Sequence, residues 1–137
     1  MARQVIPWEE LFEAALQARS HAYAPYSRFA VGAAVYVEGG QIASGCNVEN
    51  SSYGVSVCAE RNAIACAIAR LGPRKLLAVA IVTEGEEPSP PCGVCRQVMA
   101  EFADGDLPVR CRNLRGKEKR FKLRQLLPHA FSKAYLR

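Results

Sequence analysis

Histidine is scarce in this chain: His21 and His129 are the only two among 137 residues. That leaves little scope for a metal site built from several imidazoles. No apolar run approaches the roughly 20 residues needed to span a bilayer. The first ten residues, Met1 to Glu10, carry one basic residue but no apolar stretch behind it, so no secretory leader is expected. There is no internal repeat, no low-complexity tract and no linker-like segment. A soluble, cytoplasmic protein is the expectation, organised as a single domain over residues 1–137. A chain of this length buries roughly two thirds of its unfolded surface. Its composition, 50% hydrophobic and 23% charged, is that of an ordinary globular domain.

Cysteine is plentiful by contrast: Cys46, Cys58, Cys66, Cys92, Cys95 and Cys111. In a reducing cytosol, clustered thiols serve more often as ligands or catalysts than as disulfides. Charge is unevenly spread. The net charge is +5, yet residues 110–137 hold ten basic residues against Glu118 alone, +9. The preceding 109 residues hold eight basic and twelve acidic, −4. A basic stretch of this kind suits a solvated face or a subunit contact, and it leaves contact with nucleic acid open.

Pro7-Trp8-Glu9-Glu10 opens a helix, with carboxylates at the positive end of its dipole. Trp8, Leu11, Phe12, Ala15, Leu16 and Arg19 continue it at helical spacing to about Ser20. Ala30–Val37 and Gln41–Cys46 flank Glu38-Gly39-Gly40, a hairpin signal. A second helix runs from Cys58 to Leu71 and stops at Gly72-Pro73. Leu76–Thr83 is a continuous apolar run, as in a strand buried on both faces. Cys92–Phe102 is helical, Leu107–Cys111 is a short strand, and Leu123–Leu127 makes a last helical turn before Pro128. The order implies a mixed sheet with helices packed on its faces.

Both cysteine-bearing segments thus lie where a loop enters a helix. Unpaired N–H groups and the helix dipole favour thiolate there, the form that binds metal. Cys92 and Cys95, one turn apart, can aim at one point, and Cys58 can supply a third sulfur. Three thiolates suit tetrahedral zinc with one position open, the pattern of a catalytic site. Glu60, two residues beyond Cys58, can move a proton from an activated water to a substrate nitrogen. Cys58-Ala-Glu60 followed by Pro91-Cys-Gly-Val-Cys95 matches the zinc-deaminase signature. Three thiolates leave the metal centre at −1, a poor acidifier of water. Arg61 is the expected compensator of that charge, with Arg96 as a second candidate.

The chain resembles the small, homotetrameric cytidine deaminase family over nearly its full length. The resemblance is carried by Tyr26–Ala34, Asn47–Gly54, Cys58–Ala63, Pro91–Gln97 and Leu126–Phe131. It implies an α/β fold, a three-layer α/β/α sandwich with a mixed five-stranded sheet. It also implies one zinc ion per subunit and hydrolysis of cytidine or 2′-deoxycytidine to the uracil nucleoside and ammonia, a pyrimidine-salvage reaction. It assigns Asn47 and Glu49 to the ribose 3′-hydroxyl, Phe29 to the pyrimidine ring and the Ala59 backbone to the base edge. Phe131 would reach a neighbouring subunit's site in the tetramer. Cys46, Cys66 and Cys111 have no part in the family's chemistry and read as small buried apolar residues.

Two other readings stay open at this level. One is a deaminase of another aminopyrimidine, such as the antibiotic blasticidin S or a cytosine in nucleic acid. The other is a non-catalytic zinc-stabilised module, which would need Cys46 or Cys111 as a fourth ligand.

Overall fold

Helix α1 (Trp8–Arg19) leads into the hairpin β1 (Gly32–Val37) and β2 (Gln41–Cys46). There follow α2 (Ala59–Leu71), β3 (Leu76–Thr83), α3 (Gly93–Phe102), β4 (Pro108–Asn113), β5 (Glu118–Lys122) and the short α4 (Leu123–Leu126). These elements come from a computed structural model that describes residues 5–136. Residues 1–4 and 137 lie outside it, so the ends of the expected domain and Arg137 of the basic stretch are not placed.

The strands form one five-stranded sheet in the order β2-β1-β3-β4-β5. Only β3 and β4 run parallel, with α3 in the connection between them; the other pairs are antiparallel. The mixed sheet is therefore as expected.

Helices cover both faces of that sheet, which makes three layers. On one face Leu11, Phe12 and Ala15 of α1 pack against Ala34, Tyr36, Ala78, Ala80 and Val82. On the other, Ala63, Ile64 and Ala67 of α2 and Met99 of α3 meet Val35, Val79, Ile81 and Val109. Both faces of β1 and β3 are buried, so neither strand shows polar alternation. Each large aliphatic side chain buried here stabilises by about 1.5–3 kcal/mol. Two glycines set how closely the helices approach. A Cβ at Gly32 would stand 1.8 Å from the Ala15 carbonyl oxygen, and one at Gly45 would stand 2.5 Å from the Ala63 nitrogen.

Four boundaries differ from expectation. β1 begins at Gly32 rather than Ala30, and β4 runs on to Asn113. Cys58 and Cys92 have extended backbone angles and sit as N-caps, just outside their helices. β5 was not visible in the residue pattern because Glu-Lys-Arg-Phe-Lys reads as a charged run. Such a composition protects an edge strand from pairing with another chain.

The basic stretch finds its carboxylates within the chain. Arg112 pairs with Glu9 and Glu118 at 2.7 Å each, and Arg120 pairs with Glu118. Lys117 and Lys119 share Glu87, while Lys122 and Arg124 face Asp106. Arg110 and Arg112 also lie over the rings of Trp8 and Phe12, at 4.1 and 3.9 Å from their centroids. Most of this charge thus ties β4 and β5 to α1 and the neighbouring loops. Among the described residues no helix is long and apolar enough to cross a membrane.

Candidate metal centre and substrate cleft

Helices α2 and α3 bring their N-terminal ends together on one side of the sheet. Neither Cys58 nor Cys92 uses its side chain to cap its helix, so both sulfurs are free to turn toward each other. The two Sγ atoms lie 3.5 Å apart, and Sγ of Cys95 joins them with all three within 4.8 Å of one another. Cys46 and Cys111, the candidates for a fourth ligand, do not belong to this group among the described residues. Cys111 is wholly buried in β4, where burial pushes its thiol up to about 12. It is a core residue, as expected.

The cluster's own chemistry favours metal. The Cys95 thiol donates to Cys58, and Arg61 and Cys92 add to that against the opposing effect of burial, which brings Cys58 down to about 5. The same bond, together with burial and the charge of Glu60, holds Cys95 far above its ordinary value. Three soft donors converging on one point, one of them readily ionised, fit zinc and leave one of its four positions to a non-protein ligand.

Glu60 is 4% exposed in the first turn of α2. Burial pushes its carboxyl up to about 7, with the negative charge of Cys58 adding to the shift against a backbone hydrogen bond. Arg61 donates through Nη2 to Sγ of Cys58 at 3.6 Å and to the Ser56 carbonyl at 3.4 Å. Its Nε is buried without a hydrogen-bond partner among the described residues. Arg96 does not join it. Its Nε donates to the Pro91 carbonyl at 2.7 Å and Nη1 to that of Leu126 at 2.8 Å. Arg96 therefore pins the approach to Cys92 against the C-terminal segment rather than offsetting thiolate charge.

A cleft of about 250 Å³ opens over these groups, lined by Phe29, Asn47, Glu49, Cys58, Ala59, Glu60 and Cys92, among others. The structure thus gathers nearly all the residues singled out in the sequence. Asn47 is buried, its Nδ2 donating to the Phe29 carbonyl at 2.8 Å and its Oδ1 accepting from Val31 N at 2.9 Å. Glu49 accepts from the backbone of Tyr26 and Ser27 and from the Ser27 hydroxyl. Those bonds, the hydroxyl first, hold its carboxyl below the usual range.

Phe131 is absent from this wall. It is 60% exposed and stacks on Tyr135, with centroids 5.7 Å apart. Sequence reasoning missed Ser27, Thr83, Ser89 and Pro90, which also line the cleft. Only the short spacing of Ser89 and Pro90 before Cys92 signalled any of them.

A family model described as "Cytidine and deoxycytidylate deaminase zinc-binding region" matches residues 7–111. The chain is 48% identical to a cytidine deaminase of Sporosarcina psychrophila, over 91% of each protein. It is 45% identical to one of Mycobacterium tuberculosis, over 92% of this chain and 90% of the relative. A crystal structure of cytidine deaminase from Burkholderia pseudomallei superposes with a TM-score of 0.86 at 46% identity. That match covers 92% of this chain and 100% of the other.

Proposed function

This chain belongs to the cytidine deaminase family, and from that premise we propose that Cys58, Cys92 and Cys95 hold one zinc ion per subunit while Glu60 moves the protons. The reaction is hydrolytic deamination of cytidine and 2′-deoxycytidine to uridine and 2′-deoxyuridine, with release of ammonia. One observation carries the reading: three convergent sulfurs beside a buried carboxyl poised near pH 7, beneath a cleft. When bound, zinc supplies Lewis acidity, which makes a water molecule nucleophilic at neutral pH.

The chain's own residues do the rest. Glu60 takes the proton of the attacking water and places it on N3 of the ring as the new bond forms at C4. It then carries a second proton, taken from the hydroxyl now on C4, to the C4 amino group, and the C4–N bond breaks to leave a carbonyl and ammonia. A carboxyl near pH 7 can both accept and donate at working pH. Arg61 offsets the excess negative charge of three thiolates. Phe29 packs on the pyrimidine, and Ala59, whose N–H has no helical acceptor, meets the base edge. Asn47 and Glu49 take the ribose 3′-hydroxyl. Their existing bonds to the 26–31 loop hold both side chains in place, so less ordering is needed when the sugar binds.

The working assembly is a homotetramer in the cytoplasm, serving pyrimidine salvage. An aromatic ring at Phe131, exposed and outside its own cleft, suits completion of a neighbour's site. The pairing of the basic stretch with Glu9, Glu87, Asp106 and Glu118 favours a free nucleoside over polynucleotide. Zinc content per subunit, measured with ultraviolet turnover of cytidine, CMP and a short single-stranded oligonucleotide, tests this. About one zinc with turnover of cytidine is expected. Zinc without ammonia release from any nucleoside would overturn it in favour of a structural module, and preference for the oligonucleotide would move the substrate class.

A further inference from the structure

Asparagine is a poor choice inside an alanine-rich helix, since it loses stability against alanine unless its amide does something local. Asn62 stands in the second turn of α2, in the run Ala59-Glu-Arg-Asn-Ala-Ile-Ala65. Its backbone N–H donates to the Cys58 carbonyl at 3.1 Å. Its Nδ2 leaves the helix altogether and donates to the Cys46 carbonyl, the last residue of β2, at 2.8 Å. It does not line the cleft.

The acceptor's neighbour gives the bond its reach. Asn47 follows Cys46, and its amide spans Phe29 and Val31. A short series of bonds therefore runs from Cys58 through Asn62 and Cys46 to Asn47 and on to Phe29. Gly45, beside Cys46, lets α2 lie against β2: a Cβ there would stand 2.9 Å from the Ala59 carbonyl oxygen. Contact at Gly45 sets the distance between helix and strand, and the directed bond at Cys46 sets their register.

We infer that Asn62 is a positioning residue: it registers the helix turn that carries Cys58 and Glu60 to the wall that holds the nucleoside, Phe29 and Asn47. The inference rests on the roles proposed for those residues. Loss of the Nδ2 bond lets the wall shift relative to Glu60, so substrate affinity suffers before the chemical step does.

The test uses the zinc-loaded full chain with Asn62→Ala and with Asn62→Leu, which keeps the branched shape but not the donor. KM for cytidine and Kd for the product uridine should both rise about five-fold or more, because the wall must be brought back into register when the nucleoside binds. Turnover at saturation should change less than about two-fold, and zinc per subunit should stay at the wild-type value. Combining Asn62→Leu with Asn47→Ala should give a smaller loss of affinity than the two losses added, because they act through one wall. A fall in melting temperature with KM and Kd unchanged in both variants would overturn the inference and leave a structural role. Wild-type protein that neither binds uridine nor consumes cytidine would instead sink the functional reading beneath it.

Discussion

Nη2 of Arg61 lies 3.6 Å from Sγ of Cys58, while Nε of the same guanidinium is buried with no acceptor among the described residues. The guanidinium thus meets the sulfur cluster with both a hydrogen bond and its charge. A buried unpaired donor costs about 1–3 kcal/mol, which the fold accepts beside three sulfurs whose joint ionisation needs a cation nearby. Arg61→Ala should therefore weaken zinc retention or lower turnover by about 10–100-fold, as loss of a partner to a metal ligand typically does. Zinc dissociation into a chromogenic chelator, followed beside cytidine turnover, checks this. Loss in neither measurement would remove Arg61 from the site.

Glu60→Gln separates proton transfer from metal binding. The side chain keeps its shape, and the three sulfurs are untouched. Zinc content should stay at the wild-type level while turnover falls by at least 10²–10⁴-fold, the usual contribution of a positioned acid–base group. Turnover near the wild-type rate would show that another group carries the protons.

The metal site was legible in the sequence because its parts are local. Cys58-Ala-Glu60 and Pro91-Cys-Gly-Val-Cys95 each span less than two helical turns, and helix N-termini announce themselves through composition. The hairpin and β3 were legible for the same reason, since pattern and turn residues lie within a few positions. What stayed hidden depends on contacts between distant segments. Arg96 looked like a companion to the thiolates because it follows Cys95, yet its partners are carbonyls of Pro91 and Leu126. The charged run 118–122 is a strand because it pairs along β4, where Arg112 faces Glu118 across the pair and Arg120 flanks the same carboxylate from within β5. Asn62 gave no signal at all, because its acceptor lies 16 residues away on another element.

The Glu118 network predicts an acid-sensitive β4–β5 edge. Burial alone would raise the Glu118 carboxyl, but hydrogen bonds from Arg120 and Arg112 outweigh it and hold the group below its usual range. A carboxyl lowered on folding contributes stability above its unfolded pKa of about 4.3, and loses it as pH falls through the folded value. Glu118→Gln should thus lower the melting temperature at pH 7. The gap to wild type should narrow as pH drops below about 4 and close only once pH passes the lowered folded value, where the Glu118 carboxyl is neutral as well. A gap that stays constant with pH would assign the effect to packing.

Phe131 offers the sharpest test of the assembly. It is exposed in its own subunit and lies outside that subunit's cleft, so Phe131→Ala should leave folding and zinc content intact. If its ring completes a neighbour's site, the variant's KM for cytidine should rise by about ten-fold, the order expected for losing an aromatic contact beyond plain burial. Mixing then discriminates. Subunits carrying Glu60→Gln add little turnover of their own but still hold an intact Phe131. Unfolded together with Phe131→Ala subunits and refolded, they should lend that ring to clefts whose Glu60 is intact, and wild-type affinity should return in part of the population. Mixed assemblies that never recover affinity would place Phe131 in its own chain's fold instead.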